Sequence, residues 1–331
     1  MTFAACASTQ APVANPNDPL SNYDPDRATV AGGGAEFASI YGSMGLVAPG
    51  PPISFVGRVA YFATTTRDTT LAVVALSIPN HGLTFKHDSA GYLATYVASL
   101  SLEGADLTRA VQARDSETVR IPTFKETSRT DESIIFRRAL RVAPGTYDLS
   151  LLVRDVNATR ESAQRVTITV PRMTGSQVSS LEPVYEAVPR ERLDSAPKLL
   201  PAPRASYVFG VDDSAAMYVE SYDPRTPVSL ELRGPTGQVV WRGSAALTPH
   251  GTSLASGIAH LPLAHADIGV LTALATHAGA ADTSRTSLFL GFGPDLPVLS
   301  FNEMLSYLRF FASPNELQAL RSASPATRGD R

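Results

Sequence analysis

Residues 133–155 read "SIIFRRALRVAPGTYDLSLLVRD" (Ser133–Asp155). Two runs rich in Ile, Leu, Val, Phe and Tyr flank the breaker Pro144-Gly145. Such residues pack well on a pleated surface, and Pro-Gly interrupts it, so the pattern predicts strand, turn, strand. Tyr147, Leu149 and Leu151 fall two apart and share one face of the second strand. The arrangement predicts a hairpin, and hence antiparallel sheet.

The same texture extends in both directions. Upstream lie "FVGRVAYFA" (Phe55–Ala63), "TLAVVALSI" (Thr70–Ile78), "YLATYVASLSLE" (Tyr92–Glu103), "LTRAVQAR" (Leu107–Arg114) and "ETVRI" (Glu117–Ile121). "QRVTITV" (Gln164–Val170) closes the series. Short strands at this density predict a sandwich of immunoglobulin-like size over 53–172. Pro189–Pro203 is proline-rich and poor in strand formers, which marks 173–204 as a linker. A second series runs from Ser206 to Phe292, with Gly234-Pro235-Thr236-Gly237 as a turn between two of its strands. It predicts a smaller sandwich over 205–296. After Pro297 the period becomes helical: Met304, Leu305, Leu308 and Phe311 recur on one face. Ser313-Pro314-Asn315-Glu316 has the form of an N-cap, Pro at N1 and Glu at N3, opening a second helix with Leu317 and Leu320. The expected fold is therefore mainly β: two tandem antiparallel sandwiches, then a helical hairpin and polar tail over 297–331. Tyr307 with Arg309-Phe310-Phe311 reads as core on the first helix, with an aromatic binding patch as the alternative.

Composition bounds the function. The chain has 331 residues, 44% hydrophobic and 18% charged, and a formal net charge of -3. That fits a globular protein of two or three domains and gives no basic field for nucleic acid. Only Lys86, Lys125 and Lys198 are lysine. No apolar run is long enough to span a bilayer as a helix.

The one cysteine is Cys6, so no internal disulfide is available. Phe3-Ala4-Ala5-Cys6 resembles the end of a bacterial lipoprotein signal, where small residues precede a cysteine that takes the lipid. The residues after it are rich in Pro, Asn, Ser and Asp, as a tether is. Residues 1–52 thus read as a signal remnant and irregular tether. Ala7, where Asp would favour inner-membrane retention, leans toward the outer membrane. Only five residues precede Cys6, fewer than the apolar stretch of a signal. The expectation is a misplaced start or a fragment.

The segment "MLSYLRFFASPNELQALRSASPATR" resembles the entry to the C-terminal domain of the bacterial GWxTD domain-containing proteins, through Ser313, Pro314, Glu316, Leu317 and Leu320. Two β domains behind a lipoprotein-like start match that layout. The resemblance implies an envelope protein of poorly defined role and transfers no catalytic residue. The Gly-Trp-x-Thr-Asp element does not occur before Arg331, and Trp241 sits in a strand pattern. Either the sequence is truncated or the defining domain is absent.

The sequence carries no motif that assigns a catalytic, metal or cofactor site. His81, His87, His250, His260, His265 and His277 lack metal-ligand spacing. "AGGGAEF" (Ala31–Phe37) and "GFGP" (Gly291–Pro294) lack phosphate-loop context and read as loops, and "YGSMG" (Tyr41–Gly45) lacks a nucleophile elbow around Ser43. Asp18, Asp24 and Asp26 belong to the tether and do not form a calcium loop. Asp212, Asp213, Glu220 and Asp223 could supply an acid–base pair, but read first as turn caps. Arg328-Gly329-Asp330 is a tripeptide in a polar tail. The expectation is a non-enzymatic envelope lipoprotein of binding or scaffolding type, anchored to a membrane through Cys6, with an unidentified protein partner and no nucleic acid. The alternative is the accessory sandwiches of an envelope hydrolase acting on carbohydrate or peptidoglycan.

Overall fold

The computed structural model describes residues 34–104, 109–129, 133–173, 175, 177–277, 283–292, 305–306 and 308–323. The chain is mainly β, its strands paired antiparallel apart from Ser206–Val208, which runs parallel to Thr283–Gly291, with a short C-terminal helix. Helix α1 (Gly34–Ser43) comes first. The first sandwich follows: β1 (Val56–Ala63), β2 (Thr70–Pro79), β3 (Lys86–Asp88), β4 (Gly91–Gly104), β5 (Arg109–Ile121), β6 (Ser133–Val142), β7 (Gly145–Asp155) and β8 (Arg160–Val170), with a one-turn helix α2 (Phe124–Thr127) before β6. One sheet has the order β1-β2-β6; the other runs β3-β4-β7-β8, with β5 also on β4. Their inner faces meet in one core that holds Phe55, Val74 and Leu76 from one side and Tyr96, Leu102, Leu149 and Leu151 from the other.

Tyr147, Leu149 and Leu151 share the core-facing side, as their spacing requires. The Pro144-Gly145 turn, however, does not close a hairpin. β6 pairs with β2, from Ser133 opposite Pro79 to Val142 opposite Thr70, whereas β7 pairs with β4 and β8. Gly145 has no positive φ, which the tight hairpin turns require. The turn instead carries the chain from one sheet of the sandwich to the other. Arg109–Arg114 and Glu117–Ile121 lie on one strand, because Asp115 and Ser116 continue the ladder opposite Ala98 and Val97; Leu107 and Thr108 lie outside the described residues.

The second sandwich comprises β9 (Glu182–Val188), β10 (Lys198–Pro201), β11 (Ser206–Val208), β12 (Ser214–Ser221), β13 (Val228–Arg233), β14 (Val239–Ser244), β15 (Thr248–Pro249), β16 (Ala255–Pro262), β17 (Gly269–His277) and β18 (Thr283–Gly291). Its sheets run β10-β9-β12-β16-β15 and β11-β18-β17-β13-β14. Met217, Val219, Leu261, Leu232, Ala273 and Leu288 fill the space between. The turn at Gly234–Gly237 joins β13 to β14, with Gly237 at φ +85 and its N–H on the Gly234 carbonyl at 2.9 Å.

Two segments expected to be irregular are ordered. β9 and β10 lie inside 173–204, so much of the anticipated linker is sheet. Their prolines sit where sheets tolerate them: Pro183 near the start of β9, and Pro201 at a register shift on the edge strand β10. Within 1–52, residues 34–43 form α1. Ile40, Tyr41 and Met44 pack with Leu46, Val56 and Phe289. The helix ends on Gly45 at φ +79, with Leu46 N–H on the Tyr41 carbonyl and Gly45 N–H on the Gly42 carbonyl. That closing motif satisfies helix-end carbonyls and needs a residue free to adopt positive φ. Gly34–Phe37 of the glycine-rich stretch is therefore helical rather than loop, and Tyr41–Ser43 of "YGSMG" ends the same helix.

Helix α3 (Pro314–Ser322) starts as its sequence prescribes. The Ser313 hydroxyl accepts the Glu316 N–H at 3.3 Å, and the Glu316 carboxylate accepts the Ser313 N–H at 2.7 Å. Leu305, Leu308, Leu317 and Leu320 pack on Ile268, Phe209 and Phe292 of the second sandwich. Phe310 and Phe311 were expected in that core. They are 67% and 88% exposed, and Arg309 stacks on Phe310.

Candidate functional site

The anticipated site residues scatter. Cys6, Asp18, Asp24, Asp26, Tyr307 and Arg328–Asp330 lie outside the described residues. His81, His87, His260 and His265 are exposed on separate strands and loops. His277 is buried and bonds the Ser221 hydroxyl through Nε2 at 2.8 Å. Among the described residues no cluster of three metal-ligating side chains forms. Asp212 accepts the Val208 N–H, and Asp223 accepts from the Thr226 hydroxyl and the Arg225 N–H, both as turn caps. Those bonds hold the Asp223 carboxyl below its usual pKa, that from Thr226 foremost. The family-motif residues Ser313, Pro314, Glu316, Leu317 and Leu320 have structural roles on α3.

Glu220 is different. It is fully buried on β12 and sits at the joint between the sandwiches. Arg190, 4% exposed, donates from Nε to Glu220 Oε1 and from Nη2 to Oε2, both at 2.7 Å. The Tyr218 hydroxyl donates to Oε1 at 2.6 Å and the Tyr222 hydroxyl to Oε2 at 2.9 Å. The network then reaches the first sandwich at Ala63 on β1. Arg190 Nη2 donates to the Ala63 carbonyl at 2.7 Å, and the Tyr222 hydroxyl accepts the Ala63 N–H at 2.7 Å. Arg190 Nη1 ends on the Ser195 carbonyl. Burial opposes the arginine's charge, but the adjoining Glu220 carboxylate outweighs it, and the Arg190 pKa is raised. Burial, reinforced by Glu220, also holds both tyrosines protonated. Every charge is hydrogen-bonded, which a buried pair requires. Phe62 meets Tyr218 with tilted rings, centroids 5.8 Å apart, which adds apolar contact to this joint. Glu220 thus acts as a lock rather than as a free acid or base.

Beside the lock lies an interdomain cleft of about 880 Å³. β1 and β8 of the first sandwich form one wall; residues 177–180 and 283–287 form the other. Arg58 and Glu182 line its floor, 7% and 2% exposed. Arg58 Nε donates to the Pro203 carbonyl at 3.2 Å and Nη2 to the Ser287 carbonyl at 3.1 Å. Among the described residues neither Nη1 nor the Glu182 carboxylate has a hydrogen-bond or ion-pair partner; neither is sealed off, and both line the cleft. Burial pushes the Glu182 carboxyl from 4.5 up to about 7, with the Arg58 charge opposing. Burial likewise lowers the Arg58 pKa, against the pull of Glu182 and Tyr207. The Tyr207 hydroxyl nearby is buried and unpartnered. This half-satisfied charged floor is the strongest candidate for a site.

Sequence reasoning missed Arg58, Arg190, Glu182 and Tyr207. The available signal was a charge inside a strand pattern, as in "VGRVAYF" and "SSLEPVY", where a partner or ligand must offset burial.

The fold and site define the class: two antiparallel β-sandwiches locked at a buried ion pair, with a cleft between them. No family model matches the chain, and no curated protein matches it. Among solved structures it is similar to a chain described as a biofilm associated protein, BSP domain, at 17% identity and a TM-score of 0.26. That alignment covers 74% of this chain and 29% of the other, so this chain spans less than a third of that protein's length. Among the described residues no helix is long and apolar enough to cross a membrane.

Proposed function

We propose that this chain is a non-enzymatic cell-envelope protein of binding or scaffolding type, laid out like the GWxTD domain-containing proteins and held at a membrane by lipid on Cys6. It faces the periplasm from the outer membrane, or the cell surface. The observation that carries the reading is the joint. The Arg190–Glu220 network, both of whose acceptor oxygens are spent on the arginine and two tyrosines, fixes one sandwich against the other. Two sandwiches held rigidly present a defined cleft and a fixed set of strand edges, which suits recognition of a partner.

The test is intact mass and membrane fractionation of the native protein beside a Cys6→Ala variant, followed by pull-down from an envelope extract. Acyl mass on the wild type, with the variant alone released to the soluble fraction, is the expected result. An unmodified Cys6 in a cytosolic protein would end the envelope reading. Retention of no envelope component by the ectodomain would end the scaffolding one.

A further inference from the structure

We propose that the interdomain cleft binds a short extended stretch of polypeptide, whose backbone pairs with the open edges of β1 and β8. This rests on the binding reading above and gives it a site and a ligand class.

The first observation is an interrupted strand edge. β1 ends the order of its sheet, and on its outer side alternate residues point their N–H and C=O away from β2. Gly57 exchanges both bonds with Val47. Tyr61 donates to the Ser180 hydroxyl at 2.8 Å and accepts the Ser180 N–H at 3.0 Å. Ala63 is held by Tyr222 and Arg190. Among the described residues only Val59, between these closures, has neither outward group partnered, and it lines the cleft. The window from Gly57 to Tyr61 is about 13 Å, room for about four residues at the strand repeat.

The second observation is the facing edge. β8 ends the order of the opposite sheet. Its first half is covered, because Ser162 Oγ accepts the Ile53 N–H and Gln164 Oε1 accepts the Ala48 N–H. Val166–Thr169 line the cleft, and among the described residues no strand pairs with the side of them that faces away from β7. The third is the floor, where the Glu182 carboxyl and one guanidinium nitrogen of Arg58 line the cleft with no protein partner.

Val59 offers one open donor and acceptor pair on β1, β8 offers a free strand edge, and the floor offers a carboxyl and a guanidinium nitrogen. A peptide backbone supplies alternating donors and acceptors to such edges; a saccharide's hydroxyls have no such fixed polarity. Inserted between the two edges, the segment would direct alternate side chains toward Val59, Val166 and Ile168, which pack against the first core. Small apolar residues are therefore expected at every second position of the ligand.

The test begins with selection of a phage-displayed random heptapeptide library on the immobilised full chain. Binding of the enriched peptide is then measured to wild type, Val59→Pro and Glu182→Gln. Val59→Pro removes an N–H that the β1–β2 ladder does not use, and Glu182→Gln is isosteric; thermal melting confirms that each variant folds. The expected result is alternating small apolar residues, about tenfold weaker binding to each variant, and a similar loss when alternate peptide amides are N-methylated in one register but not the other. Three results would overturn the proposal: no enrichment over a blank surface, an enriched peptide that binds both variants like wild type, or indifference to N-methylation in both registers. Binding of chitotetraose that Glu182→Gln abolishes, with no peptide enriched, would assign the cleft to saccharide instead. Peptide binding in the cleft of a protein that carries no lipid would leave this inference standing while the envelope reading fell.

Discussion

Replacing Glu182 with glutamine should remove a specific pH dependence from folding. In the unfolded chain this carboxyl loses its proton near 4.5; in the fold, burial keeps the proton until about 7. Between those values the native state binds one proton more than the unfolded state, so stability falls as pH rises. At about 1.36 kcal/mol per pH unit the window is worth about 3 kcal/mol, complete above pH 7 and absent below pH 4.5. The side chain is 2% exposed, so solvent screening takes little from that figure. Urea melts of wild type and Glu182→Gln at intervals from pH 4 to pH 8, followed by Trp241 emission and circular dichroism, give the difference between the two proteins. Other titrating groups cancel in that difference. Glutamine should gain on wild type steadily up to about pH 7 and then hold its lead. A flat difference would refute the reasoning. So would wild type gaining on the variant as pH rises, because that would mean an ionised native Glu182 with Arg58 as an effective partner.

The lock makes a sharper claim on stability. Glu220→Gln leaves the Arg190 charge buried without its anion and should cost about 3–5 kcal/mol in denaturant melts, while a double Arg190→Met, Glu220→Leu variant should regain much of it. Gly243 lies under the Trp241 ring, and a Cβ there would fall 2.3 Å from Trp241 Cζ2. Gly243→Ala should therefore shift the tryptophan emission and destabilise by about 1–3 kcal/mol; unchanged emission would contradict the contact. Ser313→Ala removes the acceptor for the Glu316 N–H and should weaken α3 by about 1 kcal/mol, seen as faster amide exchange in residues 316–322 with none in the sandwiches.

What the sequence could show follows from how local each cause is. The cap at Ser313 was legible because donor and acceptor lie three residues apart, and the Gly234–Gly237 turn because its geometry is set within four. The strands were legible because burial on one face writes a period of two. Proline misled at β9 and β10: it argues against a central strand, but at a strand start and on an edge the missing N–H is not needed. Composition misled at α1, where neighbouring glycines hid an apolar helical face whose partner, Phe289, is 249 residues from Ile40. Phe310 and Phe311 misled in the opposite sense, since apolarity alone does not say which residues the second sandwich can cover. Arg58 and Glu182 are the extreme case. Alone, each is a charge in an unfavourable strand position, and only the folded chain brings them to one cleft floor without joining them. Polar groups that the fold turns toward an open cleft without a protein partner are free to meet a ligand. That is why the site emerges from what remains unsatisfied, whereas the lock, fully paired, accounts for itself.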